Sequence, residues 1–220
     1  MTLLHSKRLT LSSQLTENDL GTIVGWLNDP EVVRYSEQRH KKHSIDTQYK
    51  YLMGFDPRDF YLGIHRDWKL IGTITATVDR PNGVANVGLM IGERSIWGRG
   101  FGLEAWACLG DYLFKNNVRK IEAGCMASNP GMMKVCKRYG MVIEGTRKNY
   151  FTSEDKYIDL IEWGRFNEPS PKFFKRRGGP VASAKSKRRI KSLYSQTTIG
   201  FITDAPKGHR GGVRGRGLSK

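Results

Sequence analysis

The sequence predicts a mixed α/β domain: a central sheet of about seven strands with helices on its faces. Three observations carry this prediction. The β-rich segments 59–67 and 69–80 are separated by a tight turn, which is typical of a hairpin. A glycine-rich stretch lies between an apolar strand-like run and an amphipathic helix-like run. Two further strand-like segments close the pattern and are expected to pair antiparallel.

The N-terminal part is predicted to contain one strand and three helices. Leu9 and Leu11 alternate with polar residues, which indicates a strand over residues 7–16. Thr16 is a suitable cap for a helix that ends before Pro30, and Ser44 is a suitable cap for a later one. The predicted elements are a strand at 7–16, helices at 17–29, 31–35 and 45–55, and a basic turn at 37–43.

The remainder of the body alternates strands and helices. The hairpin is expected to turn near Asp67 and Trp68, and Gly140 is a suitable residue to end the last helix. The predicted elements are strands at 84–92, 118–127, 141–151 and 156–166, and helices at 103–117 and 128–140.

The charge is unevenly distributed. The chain has 37 Lys and Arg, 21 Asp and Glu and a formal net charge of +16. Residues 167–220 hold 14 of the basic residues and 2 of the acidic ones, among Gly and Ser with little periodicity. We therefore predict a folded domain at 1–166 and a basic, disordered tail at 167–220. The tail is either a passive solvated extension or, through "RGGVRGRG", a contact to nucleic acid or the ribosome.

The cysteines and the apolar runs indicate the compartment. The chain has three cysteines, Cys108, Cys125 and Cys136, an odd number without CxxC spacing. This favours a reducing environment and argues against a disulfide framework and against a metal site. No run reaches the ~18 apolar residues of a spanning helix, and "MTLLHSKRLTLSS" has no signal-peptide core. We therefore expect no membrane contact and a cytoplasmic location.

The glycine stretch predicts an anion site. Gly98, Gly100 and Gly102 occupy alternate positions just before a helix, where free N–H groups and the positive end of the helix dipole favour phosphate. A nucleoside triphosphate loop is excluded because Leu103 and Glu104 stand where Lys and Ser or Thr are required. The GxGxG spacing also differs from the GxGxxG dinucleotide fingerprint.

Two segments carry a family resemblance. "WGRGFGLEA" resembles the coenzyme A loop of the GNAT acetyltransferase superfamily, specifically its RimJ/RimL-type branch, with Trp97 in place of the usual Gln or Arg. "NPGMMKVCKRYGMVIEG" is similar to a second block of that branch, through Asn129, Gly140, Glu144 and Gly145, although Met132 replaces the usual Ser. The resemblance covers about residues 7–165 and implies a GNAT-like fold.

The resemblance implies acetyl-CoA as co-substrate and no metal. The carrier would lie in a V between two splayed parallel strands, "VGLMIG" and "KIEAGCMA", with its arm on the backbone of the first strand and its diphosphate on the loop amides. A backbone N–H near Met90 or Ile91 can stabilise the developing oxyanion. The residues assigned to the coenzyme are Leu89, Met90, Ile91, Gly98, Arg99, Gly100, Phe101, Gly102 and Asn129.

The proton-transfer residues depart from the family pattern. Asn86 stands where some relatives have a Glu base, and Cys136 stands where many have a Tyr acid. Glu122, on the second strand of the V, is the first candidate for the catalytic base, and a salt-bridged structural Glu122 is the alternative. Glu37 and His40, in the segment expected to overhang the acceptor entrance, are candidates for substrate binding.

The resemblance implies transfer of acetyl to an amine. The segment "EVVRYSEQRHKKHS" resembles the acceptor side of sugar-acetylating relatives, so we expect an amino sugar or a nucleotide-linked amino sugar. A protein N-terminus, as in the ribosomal-protein branch, and a non-catalytic acyl-CoA-binding module are the alternatives.

Overall fold

The computed structural model describes residues 2–153 and 155–167, which form one sheet with helices on both faces. The strands are β1 Leu3–His5, β2 Thr10–Ser12, β3 Phe60–Arg66, β4 Lys69–Asp79, β5 Val84–Ile91, β6 Lys120–Met126, β7 Val142–Ser153 and β8 Lys156–Phe166. The helices are α1 Glu17–Leu27, α2 Pro30–Val33, α3 Ile45–Met53, α4 Phe101–Lys115 and α5 Pro130–Arg138. The 3₁₀ turns are Glu37–His40 and Arg94–Ile96.

The mixed α/β class is confirmed, with eight strands in residues 2–153 and 155–167 where about seven were predicted. The sheet order is β1-β2-β3-β4-β5-β6-β8-β7, and every neighbouring pair is antiparallel except β5 and β6. The additional strand is β1, which pairs with β2 in a hairpin. Its three residues are too few to give a readable alternation, so the sequence pattern did not reveal it.

The predicted helix and turn signals are confirmed. Thr16 and Ser44 both cap their helices through capping boxes. Asp67 and Trp68 both have positive φ, at 49° and 66°, as the two central residues of a tight hairpin turn require. Gly140 follows α5 with φ of 82°, the left-handed conformation that ends a helix.

Among the described residues, the only parallel pair of strands, β5 and β6, opens into a fork. β5 and β6 are paired at just three positions, from Val84 with Lys120 to Asn86 with Glu122. Beyond this closed end both strands continue, β5 to Ile91 and β6 to Met126, without pairing to each other. The fork is the pair of splayed strands that the resemblance implied.

The two faces of the sheet are covered by different helices. α4 and α5 pack on one face, where Leu109 and Cys136 join Leu62 of β3 and Ile121 of β6 in the main apolar core. Tyr61 points to the other face by strand alternation, and its hydroxyl accepts a hydrogen bond from Gln48 of α3 at 3.0 Å. The α1–α3 segment therefore covers the face opposite α4.

The predicted tail lies outside the described residues, apart from its first residue. Asn167 is still attached to the body: its backbone N–H donates to Arg119 O at 2.9 Å and its side chain to Phe114 O at 3.0 Å. Among the helices of residues 2–153 and 155–167, none combines the length and apolar character needed to cross a membrane.

Candidate functional site

The glycine loop leaves the first turn of α4 open to a ligand. Gly98 and Gly100 have φ of 78° and 83°, a region that residues with a side chain rarely adopt. Gly100 is the N-cap of α4 and makes no side-chain cap hydrogen bond. An uncapped helix start presents unpaired N–H groups at the positive end of the dipole. The loop therefore has the geometry of an anion site.

Phe101 and Gly102, which follow Gly100, have different roles at the start of α4. A Cβ at Gly102 would lie 3.2 Å from Leu89 and 3.5 Å from Ile91, so Gly102 allows the helix to approach β5. The Phe101 ring is buried, and the Arg8 guanidinium stacks on it at 4.2 Å from the ring centroid. Of the predicted coenzyme contacts, Phe101 can therefore offer only its backbone.

A cavity of about 420 Å³ lies beside the loop and is rich in arginine. Its lining comprises Arg8, Gly98, Arg99, Gly100, Leu103, Glu104, Ala107 and Arg138. Glu104 is the one acid in this lining, and its charge is matched by Arg8: Arg8 Nε donates to Oε2 at 2.6 Å and Arg8 N to Oε1 at 2.7 Å. The lining as a whole is therefore cationic.

The pKa of Glu104 reflects this pairing. Burial of the carboxylate opposes ionisation, but hydrogen bonds from Ser6 and Arg8 outweigh it and hold the pKa of Glu104 below its ordinary value. Ser6 Oγ donates to Oε1 at 2.8 Å. The N-terminal hairpin is thereby fastened to the first turn of α4, and the carboxylate stays ionised at neutral pH.

The far arm of β5 offers backbone on one side of the fork. Leu89, Met90 and Ile91 pair with Ile74, Thr73 and Gly72 of β4 on one edge, and their other edge has no strand partner in the part of the chain that the structure describes. The Trp97 indole N–H donates to Ile91 O at 2.7 Å, so Trp97 joins the loop to the end of β5. The unpaired edge can accept an extended chain in the manner of an added strand.

Asn129 lies at the start of α5, after the other arm. Its Oδ1 accepts a hydrogen bond from Met132 N at 3.0 Å, so it caps the helix. Its side-chain NH₂ group donates to no group within residues 2–153 and 155–167, which leaves that group for a ligand.

Cys136, which stands where many relatives have a Tyr that protonates the departing thiolate, and the nearby Tyr139 are both buried. Burial raises the pKa of Cys136 to about 12, and the side chain is 0% exposed. Tyr139 is directed into α4, where its hydroxyl donates to Asp111 Oδ1 at 3.4 Å and where a Cβ on Gly110 would overlap it. Burial raises the pKa of Tyr139 well above its ordinary value. Both residues have the environment of core side chains.

Glu122 lies at the closed end of the fork in a three-residue ionic cluster. Lys120 Nζ is 2.6 Å from Glu122 Oε1 and 2.7 Å from Glu144 Oε2. Burial opposes the charge on Lys120, but the two carboxylates outweigh it and raise its pKa. Both carboxylates are about one third exposed, so the cluster offers one net negative charge to solvent. Strand alternation places Glu122 on the face opposite α4.

Glu37 and His40 lie at the open end of the fork. Their 3₁₀ turn is held by Arg39, whose Nη2 donates to Thr152 O of β7 at 2.9 Å and whose Nη1 donates to Glu37 Oε1 at 2.8 Å. At the other side, Trp26 of α1 packs so closely on Gly92 that a Cβ there would overlap its ring. Residues 26–40 therefore run from the end of β5 to the end of β7, and His40 is exposed on this bridge.

The structure thus groups eight of the nine coenzyme candidates at the loop and β5, places Asn129 after the other arm at the start of α5, and separates Glu122 from Glu37 and His40. The strand between the two ends, from Asn86 to Ile91, is about 16 Å long at ~3.3 Å per residue.

Sequence reasoning missed Arg8 and Arg138 in the lining of the cavity. The available signal was Glu104, because an acid in the first turn after an anion loop needs a nearby cation.

Comparison with known proteins gives one family. The model of the acetyltransferase (GNAT) domain matches residues 8–142. A Bacillus licheniformis protein described as uncharacterized N-acetyltransferase p20 is 27% identical over 168 residues, which cover 73% of this chain and 93% of that protein.

Solved structures are similar in fold. RimL, a ribosomal L7/L12 alpha-N-protein acetyltransferase in complex with coenzyme A, matches with a TM-score of 0.68 at 16% identity, over 75% of this chain and 98% of RimL. A spermidine N-acetyltransferase SpeG chimera from Vibrio cholerae and hSSAT matches with a TM-score of 0.64 at 22% identity, over 73% of this chain and 96% of the chimera.

Proposed function

The chain belongs to the acetyltransferase (GNAT) family and is an acyltransferase, and from that premise we propose that it moves an acetyl group from acetyl-CoA to a primary amine of an amino sugar or a nucleotide-linked amino sugar. The observation that carries the proposal is the fork of β5 and β6. An anion loop lies at its open end, and an acidic cluster lies at its closed end.

The residues present fit a long carrier with a diphosphate. The uncapped amides of α4 can hold the diphosphate, and the space above Gly98 is free, since a Cβ there would meet no atom within 4 Å. The unpaired edge of Leu89, Met90 and Ile91 can hold the amide-containing arm. When bound, acetyl-CoA supplies the acetyl group as a thioester.

The chain's own groups then act on the amine. An amine arrives protonated and must lose a proton before its nitrogen can attack a carbonyl. We assign Glu122 to this role, directly or through one water, because its carboxylate is one third exposed at the closed end and strand pairing sets it beside Asn86. The net negative charge of Glu122, Glu144 and Lys120 favours the approach of an ammonium group.

The separation of the two ends supports an elongated acceptor. Glu37 and His40 lie at the open end and Glu122 at the closed end, about 16 Å apart along β5. A nucleotide-linked amino sugar can present its amine to Glu122 while its distal part reaches Glu37 and His40. The names of the solved relatives give a protein α-amino group for RimL and spermidine for SpeG, so the family resemblance itself fixes an amine and not its class.

The test is an acceptor screen with purified protein and acetyl-CoA. Free thiol release is followed with amino sugars, nucleotide-linked amino sugars, peptides with free N-termini and spermidine, and each product is checked for the mass of one acetyl group. We expect the highest kcat/KM for the nucleotide-linked amino sugar. Preference for peptide N-termini would instead favour a protein N-terminal acetyltransferase, and preference for spermidine would favour a polyamine acetyltransferase and contradict the amino-sugar acceptor.

A further inference from the structure

Two polar side chains lie beside the start of the fork without a hydrogen-bond partner in the part of the chain that the structure describes. They are Thr75 of β4 and Asn86 of β5, and both residues are half-buried. Hydroxyl and amide groups that are withdrawn from water are normally hydrogen-bonded within a protein. The Thr75 hydroxyl and the Asn86 amide are therefore available to a ligand.

Both side chains point to the face of the sheet opposite α4. The residues before and after each of them along its strand are core residues that pack toward α4. Successive side chains of a strand alternate between its two faces, so Thr75 and Asn86 share the face on which Glu122 lies. The proposed base and the two unpaired groups are thus on one side of the sheet.

The strand register sets the spacing of the three groups. Asn86 is the register partner of Glu122, and neighbouring strands lie about 5 Å apart. Thr75 is the register partner of Gly88, so it lies diagonally from Asn86 across β4 and β5, at about 7–8 Å. Glu122, Asn86 and Thr75 therefore surround the point where the two arms begin to separate.

Gly88 gives the Thr75 hydroxyl access to the fork. A Cβ on Gly88 would lie only 2.8 Å from Thr75 Oγ1, so this oxygen leans over the backbone of β5 toward the gap between the arms. A larger residue at position 88 would displace the hydroxyl from this place. The hydroxyl can both donate and accept a hydrogen bond, and the Asn86 amide has two donors and an acceptor.

We propose that Thr75 and Asn86 are specificity-determining residues, which hydrogen-bond hydroxyl groups on the sugar ring of the acceptor while its amine lies at Glu122. The inference rests on the proposed function and deepens it, because it assigns recognition of the sugar ring to two named side chains. A sugar hydroxyl both donates and accepts, so it can pair with either group. An alkylamine without hydroxyls would cover both groups and leave them unpaired, which a site of this kind disfavours.

The test compares two amines that share a six-membered ring, D-glucosamine and cyclohexylamine, of which the second has no hydroxyl. The kcat/KM of each amine is measured at saturating acetyl-CoA for the wild type, Thr75→Val and Asn86→Leu, with folding checked by thermal unfolding. We expect each variant to lower kcat/KM for glucosamine about fivefold, mainly through KM, as the loss of one neutral hydrogen bond does. The value for cyclohexylamine should change less than about twofold. Comparing variant with wild type on the same amine cancels the different basicities of the two amines.

Two further variants serve as controls. Thr77→Val makes the same change on the same face of β4, but Asn86 lies between Thr77 and β6, so kcat/KM for glucosamine should stay within about twofold of the wild type. Thr75→Ser keeps the hydroxyl and should retain most of the activity on glucosamine. Equal losses on the two amines, or no loss on glucosamine, in Thr75→Val and Asn86→Leu overturn the inference and leave the proposed function intact. Failure of the wild type to acetylate glucosamine overturns the inference together with the proposed acceptor class.

Discussion

Asn86 and Glu122 are register partners at the last paired position before β5 and β6 separate. Partners in a parallel pair have their side chains on the same face, so Glu122 presents a carboxylate next to the position where the family resemblance leads one to expect it. The proposed catalytic base of this chain therefore lies on β6, whereas the resemblance leads one to expect a Glu at the position of Asn86 on β5. Lys120 holds this carboxylate at 2.6 Å and fixes its position.

Glu122→Gln tests that assignment against Glu144→Gln. Both changes remove one carboxylate from the same lysine and leave similar volume. We expect Glu122→Gln to lower kcat by about 10²-fold, as loss of a general base does, with little change in acetyl-CoA affinity. Glu144→Gln should change kcat less than about threefold. Equal effects of the two variants would mean that only the charge of the cluster matters.

Gly100→Val tests the anion loop. The backbone at Gly100 has φ of 83°, which costs a β-branched residue about 1–2 kcal/mol and distorts the start of α4. We expect at least tenfold weaker binding of acetyl-CoA by calorimetry. Gly21→Ala is the control, because a Cβ at this helix-interior position meets no atom within 4 Å and should stabilise α1 by about 1 kcal/mol without changing binding. Unchanged affinity in Gly100→Val would remove the loop from the binding site.

Cys136→Ala tests whether a thiol donates the final proton. Its pKa of about 12 is far above the ~8.5 of an ordinary thiol, so proton transfer to a departing thiolate would be uphill. We expect the pH dependence of kcat to be unchanged, with a loss of about 1–2 kcal/mol in stability from the vacated space. Loss of the alkaline limb of the pH profile in this variant would make Cys136 the donor.

The sequence predicted the elements and the coenzyme segments better than the contacts between distant residues. The loop, the caps and the hairpin depend on local signals, such as Gly at positive φ or Thr before a helix, and those signals are legible in the chain. The contact of Arg8 with Glu104 and that of Arg39 with Thr152 join segments about a hundred residues apart. No periodicity encodes such contacts, because they depend on which strand ends the fold brings together.

Glu104→Gln tests the electrostatic attachment of the N-terminal hairpin. Because hydrogen bonds lower the folded pKa of Glu104, its contribution to stability is complete above the unfolded pKa of about 4.3 and is lost as pH falls through the lower folded value. We expect the variant to be less stable by about 1 kcal/mol at pH 7, since Arg8 is 43% exposed and solvent screens the pair.

The free energy of unfolding of the wild type and of Glu104→Gln is measured with urea at fixed ionic strength and at several pH values. The difference between the two free energies should become smaller as pH is lowered below about 4. A difference that stayed constant down to pH 2 would show that the charge of Glu104 does not contribute and that only its shape does.

Arg39→Ala tests the bridge over the open end of the fork. Arg39 is 13% exposed and joins the Glu37–His40 turn to Thr152 of β7, so its removal frees one end of the bridge. Arg34→Ala is the control, because Arg34 is 50% exposed and its ion pair and ring contact within the described residues are local, with Glu31 and Tyr35. We expect Arg39→Ala to raise the KM for the amine acceptor by about tenfold and to leave the KM for acetyl-CoA within about twofold. Since the glycine loop and β5 are untouched by this change, a parallel rise in both KM values would show that the bridge supports the whole fork and not the acceptor side.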